Sequence, residues 1–366
     1  IGFVVQNIGE TEGQTSKPLL LFVSKTMEDI EEDYNEQLLK ICETFIDLVR
    51  PKYSYYCDSL INVIRLISEL HQADEEYRNA GKAMASIDTE DQYVQQVLSI
   101  YDRCEWRIQT AEYFLADEDN TSATTHIQKS RKLLREIKLN NPNRYKLELR
   151  HKTCYSRILD SERKFLAASV NYLELSQMSN KIVADDDLIQ SLNNAVTCAI
   201  LAPAGGSRSR VLQMLYRDER TKTLPNYKVL EKMNKNMILT NKEQNNFSTT
   251  LSDHHQARLS GGLTVFEKAI YEHNMLSASA LYKNIKIEQL SKLLGVNDTQ
   301  SEDLARIMIQ EGRMNATIDQ VDGIIQFDDD NSILLNWDAQ IQDLCYQIND
   351  ICDLIDLTYP GKFNVI

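Results

Sequence analysis

A few stretches of the sequence hold residue types that could do chemistry. His254 and His255 are adjacent, with Asp253 beside them. Imidazoles and carboxylates ligate zinc, but a hydrolytic zinc site needs further ligands at fixed spacing. An isopeptidase site would show HxH followed by Ser and Asp, and a metalloprotease would show HExxH. Neither pattern occurs, so the polar run from Ser252 to Gly262 reads as an exposed loop with solvated imidazoles. AGGSRSR, from Ala204 to Arg210, offers glycines that approach an anion closely and two arginines, Arg208 and Arg210, to hold it. It lacks the GxxxxGKS/T spacing of a nucleotide loop and reads as a flexible turn that starts a helix. Asp185–Asp187 and Asp328–Asp330 could bind a cation, yet neither has the DxDxDG spacing of a calcium loop. Both read as polar turns. No GxSxG, no SxxK and no cysteine with an evident histidine partner supplies a nucleophile. His71, His126, His151 and His273 stand singly in helical segments and read as packing or surface residues. No catalytic residue, no cofactor and no metal is therefore expected, and the chain reads as a non-enzyme.

The elements that carry these residues are helices. The chain has 366 residues, more than one core usually spans, so several units or a solenoid are expected. Its 12 glycines and 6 prolines are few for that length, which favours long uninterrupted helices. Apolar residues recur by three and four from Ser24 onward, at Ile30, Tyr34, Leu38, Ile41, Phe45 and Leu48. Pro51 stops that helix and suits the first turn of the next. Amphipathic segments follow near 74–86, 90–116, 121–138, 143–160, 162–178 and 186–201, then near 207–217, 226–234 and 243–251. The breaks between them are short, which makes antiparallel neighbours. Ala80, Ala123 and Ala167 each stand early on a helix, 43 and 44 residues apart, the period of two-helix repeats.

Leu263 to Phe327 changes the pattern. Ile287, Leu290, Leu293 and Leu294 share a helical face, and Gly295 follows as a C-terminal cap. Asp298, Thr299 or Ser301 can cap a second helix that buries Leu304, Ile307 and Met308. Gly312 ends it. Met314, Ala316 and Ile318 alternate as in a half-buried strand, and Ile324, Ile325 and Phe327 make a second strand after a turn at Gln320–Gly323. Helix, turn, helix, hairpin is a winged helix. Its second helix presents Glu302, Asp303 and Glu311 against Arg306, and Leu281–Asp330 holds five Lys/Arg to ten Asp/Glu. Such a surface repels phosphates, so the unit is expected to bind protein through a strand edge formed by these six strand residues, rather than nucleic acid. A formal net charge of −14 argues the same way and also against an anionic membrane surface.

The last helix carries Leu334, Trp337, Ile341, Leu344, Ile348, Ile351 and Ile355, stepping by three and four. This is a heptad seam, and a helix cannot bury its seam against itself; it needs either the helical scaffold or other chains. The seven cysteines are scattered and lack a CxxC pair, as in a reduced cytosolic or nuclear protein. PLLLFV (Pro18–Val23) is too short to span a membrane and is not expected to be a signal peptide. The fold class that follows is mainly α: a TPR/HEAT-like helical-repeat solenoid, a winged-helix subdomain and a long C-terminal helix. The expected divisions are a loosely ordered segment at 1–23, repeats at 24–262, the winged helix at 263–330 and the bundle helix with its tail at 331–366.

That order of parts, with RKFLAASVNYLELS (163–176), SRSRVLQMLYRDER (207–220), AIYEHNMLSASALYKNI (269–285), EGRMNATIDQVDGIIQF (311–327) and WDAQIQDLCYQIND (337–350), resembles the PCI-domain family. Its members are scaffold subunits of the proteasome lid, the COP9 signalosome and a translation initiation factor complex. EHNMLSAS and DQVDGIIQF place the signalosome branch ahead of the lid, which stays an alternative, as does a winged-helix nucleic-acid binder. The resemblance implies side-by-side pairing of winged helices and a multi-subunit bundle of terminal helices. It implies as partners the other PCI subunits, the subunits of the zinc isopeptidase (MPN) type and a cullin–RING ligase from which the complex removes Nedd8. It also implies a place in cytoplasm and nucleus.

Overall fold

The computed structural model describes residues 21–22, 24, 35–137, 143–178, 184–258, 263–327 and 331–358. All but residues 21 and 22 of the expected segment 1–23 lie outside these, as do Ile30, Tyr34, Asp328–Asp330 and the side chains of Leu48 and Leu334. The chain divides into two compact units, Ile1–Ala199 and Ile200–Ile366. The fold is mainly α, of the helical-repeat class, with one small sheet.

In the first unit α1 (Asn35–Val49) ends in a 3-10 turn, Arg50–Lys52, built on Pro51, and α2 (Tyr53–Ala73) follows with a distortion at Tyr56. α3 is Tyr77–Ala85. The segment expected as one helix over 90–116 is two, α4 (Gln92–Val97) and α5 (Ile100–Ala116). Ser99 and Asp102 form a capping box at the start of α5, and this local bonding breaks the longer helix. α6 (Asn120–Glu136), α7 (Arg144–Ser161), α8 (Phe165–Gln177) and α9 (Asp185–Leu201) follow. Asp185–Asp187 is the first turn of α9, where three carboxylates oppose the positive end of the helix dipole, and not a separate polar turn.

The repeat is visible in the turns. Glu75, Glu118 and Arg163 all take left-handed φ, at 60°, 62° and 61°. In each turn the next amide donates five residues back, Glu76 to His71, Asp119 to Phe114 and Lys164 to Leu159, at 2.8, 2.9 and 2.8 Å. This is the Schellman closure of a helix end. Five residues after each left-handed position comes an alanine with no exposed surface, Ala80, Ala123 and Ala168. Ala167, the residue expected from spacing alone, is exposed. The third turn has slipped by one residue, and burial follows the turn rather than the sequence interval. One apolar cluster gathers α1–α5 around Phe45, Ile64 and Met84. A second gathers α5–α7 around Ile108, Ile127 and Ile158.

The second unit holds the end of α9, α10 (Gly206–Arg217), α11 (Tyr227–Asn234), α12 (Asn241–Ser248) and α13 (Val265–Leu281). Then come β1 (Asn284–Lys286), α14 (Ile287–Leu294), α15 (Asp298–Gln310), β2 (Ala316–Asp319), β3 (Ile324–Phe327) and α16 (Asn331–Thr358). Gly295 caps α14 at φ 76°, a conformation glycine adopts without a Cβ clash. The cap of α15 is Asn297, boxed with Gln300, in place of the expected Asp298, Thr299 or Ser301. The sheet has three strands in the order β1-β3-β2, both pairs antiparallel. Among the described residues no helix is long and apolar enough to cross a membrane.

Candidate assembly surfaces

The winged helix is held on a buried polar stripe of α13. Glu272, His273, Asn274 and Ser277 are each at most 4% exposed. Burial of such groups costs free energy unless each finds a partner. Glu272 accepts Arg313 through both oxygens, at 2.5 and 3.1 Å, and accepts the Ala204 amide at 3.2 Å. The Asn274 carboxamide accepts the Leu239 amide at 2.9 Å. His273 Nε2 lies 3.0 Å from the Met237 carbonyl. Burial, then the charge of Arg208, pulls the His273 imidazole down to about 4. A carbonyl can only accept, so Nε2–H is the donor in this contact. Ser277 donates to the His273 carbonyl at 3.0 Å. Ala204 itself belongs to the winged-helix core with Leu290, Met308 and Ile325. Residues from 200 onward therefore share one compact unit with the winged helix, and compactness does not change at the expected boundary of 262/263.

The expected strand-edge residues are placed as follows. Met314, Ala316, Ile325 and Phe327 are buried in that core, and Ile318 and Ile324 are half-buried. β3 is the middle strand, bonded on both sides, so Ile324, Ile325 and Phe327 do not form an edge. The reason is β1, which sequence periodicity missed because only Ile285 of its three residues is buried. What the sheet leaves unpaired among the described residues is backbone on the outer sides of β2 and β1.

α16 presents the second surface. Trp337 is 64% exposed, and Ile341, Leu344, Ile348, Ile351 and Ile355 are 48%, 57%, 51%, 56% and 40% exposed. An apolar seam of that extent is expensive to leave in water, since full burial of one such side chain stabilises by about 1.5–3 kcal/mol. Cys345 and Cys352 lie on the same exposed helix, while the other five cysteines are buried. Burial raises the Cys42 thiol to about 11 and those of Cys104 and Cys154 to about 12, which keeps them protonated and inert.

The candidate chemical groups are absorbed into structure. Arg208 is 3% exposed, donates to the Ile200 carbonyl at 3.0 Å and lies 3.1 Å from Met233 Sδ. It ties off the end of α9 instead of holding an anion. Gly205 caps α10, so the glycine turn does begin a helix. The loop at Ser252 is not fully solvated: Asp253–Gln256 is a 3-10 turn, and His255 is 5% exposed. Gln256 pins the turn by donating to the Ser248 carbonyl at 2.9 Å. Among the remaining histidines, His151 is buried and His126 stacks on Phe114 with centroids 5.6 Å apart.

A helical repeat leading into a three-stranded winged helix and a long terminal helix defines a PCI-domain chain, and residues 247–329 match the PCI domain family. Over 345 residues the chain is 33% identical to COP9 signalosome complex subunit 4 of Drosophila melanogaster, covering 94% of this chain and 82% of that one. It is 36% identical over 321 residues to the protein of that name from Arabidopsis thaliana, covering 86% and 79%. It is 34% identical over 345 residues to that of Dictyostelium discoideum, covering 94% and 84%. The chain belongs to the COP9 signalosome subunit 4 family. This membership replaces the proteasome-lid alternative, and it is membership of a complex-subunit family, in keeping with a non-enzyme.

Proposed function

We propose that the chain is a non-catalytic scaffold and substrate-sensing subunit of the COP9 signalosome, which removes Nedd8 from cullin–RING ligases in cytoplasm and nucleus. Its functional subdomains are the repeats at 24–262, the winged helix at 263–330 and the bundle helix at 331–366. The outer edge of β2 pairs with a neighbouring winged helix, and the seam Leu334–Ile355 docks among the terminal helices of other PCI and MPN subunits. The observation that carries this reading is the exposure of every described seam side chain of α16, Trp337 through Ile355. A heptad seam is completed by helices that present matching seams. Mass spectrometry of what the tagged full chain retains from a cell extract tests it. Recovery of signalosome subunits is expected; recovery of proteasome-lid subunits instead would overturn the assignment.

A further inference from the structure

We propose that the cleft between α6, α7 and α8 is a docking site for an extended acidic segment of a partner polypeptide, one that interleaves apolar side chains with its carboxylates. The cleft has a volume of about 600 Å³. It lies within the first unit and is independent of the two assembly surfaces above. Its rim carries Arg131, Arg135, Arg144 and Lys152 against Glu148 and Glu174. Lys152 is already bound by Glu174 at 3.2 Å, and Arg144 donates to the Ile137 carbonyl. Arg131 and Arg135 are exposed and have no carboxylate partner among the described residues.

Two more deeply set arginines of the same unit are satisfied internally. Arg150 bridges Glu105 and Glu112 at 3.1 and 2.6 Å, and Arg107 holds Asp88 at 2.7 Å. The contrast extends to sequence. α6 carries Lys129, Arg131, Lys132 and Arg135 against the single carboxylate Glu136, in a chain whose net charge is −14. A concentrated positive face on an acidic molecule selects anionic partners. The arginine fork suits carboxylates in particular.

The floor argues for peptide over polyphosphate. Ile127, Leu134 and Tyr155 line it, with the ring of Tyr155 stacked on His151 at 6.3 Å. An apolar floor beneath a cationic rim fits a chain that presents both kinds of side chain. Glu148 and Glu174 on the rim would oppose the unbroken charge of a nucleic-acid strand.

Fluorescence anisotropy with the full chain tests the proposal. The probes are a fluorescein-labelled peptide alternating Asp/Glu with Leu, the same peptide with Gly for Leu, and a labelled DNA duplex. Saturable binding of the Leu peptide is expected, weakening as salt rises from 50 to 200 mM. The double variant Arg131→Glu/Arg135→Glu should raise Kd about tenfold or more, with an unchanged circular dichroism spectrum because both side chains are exposed. Lys235→Glu/Lys292→Glu, on exposed cations of the other unit, should leave Kd unchanged. Tyr155→Ala should weaken the Leu peptide and spare the Gly peptide. Absence of saturation, equal loss in both double variants, or tighter binding of the duplex through Arg131 and Arg135 would each overturn it.

Discussion

At the scale of single residues, the polar stripe of α13 sets what the winged helix can tolerate. Glu272 is 2% exposed and Arg313 15%, so removing one partner strands a charge away from water. Loss of one member of a buried pair typically costs about 3–5 kcal/mol. Arg313→Ala should accordingly destabilise the chain by about 3 kcal/mol in thermal or urea melts, with much of the loss recovered when Glu272→Gln is added. His273 gives a pH dependence of known sign. Folded, it stays neutral down to about 4; unfolded, it protonates near 6.5. Its contribution is therefore complete above pH 6.5 and is lost as pH falls toward 4, at up to about 1.4 kcal/mol per pH unit. In His273→Gln, whose amide can still donate to Met237, the fall in melting temperature between pH 7 and 5 should be shallower than in the parent chain. None of this stripe was legible as such. EHNMLSAS marks a family resemblance, but the partners that make its polar groups buriable lie far along the chain, at Ala204, Met237, Leu239 and Arg313. Helical periodicity registers apolar positions and is silent about a polar residue whose partner is remote.

At the scale of elements, the repeats owe their regularity to turn geometry. A side-chain-bearing residue in left-handed φ costs roughly 1–2 kcal/mol, and Glu75, Glu118 and Arg163 bear it without glycine. Arg163→Gly should raise stability by about 0.5–1 kcal/mol once glycine's greater unfolded-state entropy is deducted. The measurement is a rise in urea midpoint at constant m-value. Local signals of this kind were largely readable: Pro51, Gly295 and Gly312 mark helix ends in sequence as they do in the fold. Nonlocal pairing was not. β1 exists because β3 lies beside it, and three residues with one buried side chain leave no periodic trace. For α16 the sequence displayed the seam, and its two exposed thiols make the seam measurable. Cys345 and Cys352 should react with a thiol reagent in the native isolated chain while the five buried cysteines wait for unfolding. Both should become protected when partner subunits are bound.

At the scale of the whole molecule, charge and apolar surface are distributed unequally. The chain is acidic overall, yet α6 and α7 gather cations around a cleft, and α16 gathers exposed apolar side chains on one helix. Contiguous exposed apolar side chains of that extent mark an interaction surface. On the function proposed above, α16, and no catalytic centre, is what this chain contributes to assembly. The most direct test is co-purification of signalosome subunits with the full chain and with a variant carrying Ile341→Asp and Ile348→Asp. Both positions are about half exposed, so the isolated variant should fold with an unchanged circular dichroism spectrum and melting temperature. The full chain should retain its partners, and the variant should lose most of them. Retention of the same partners at the same stoichiometry by a folded variant would contradict the proposal.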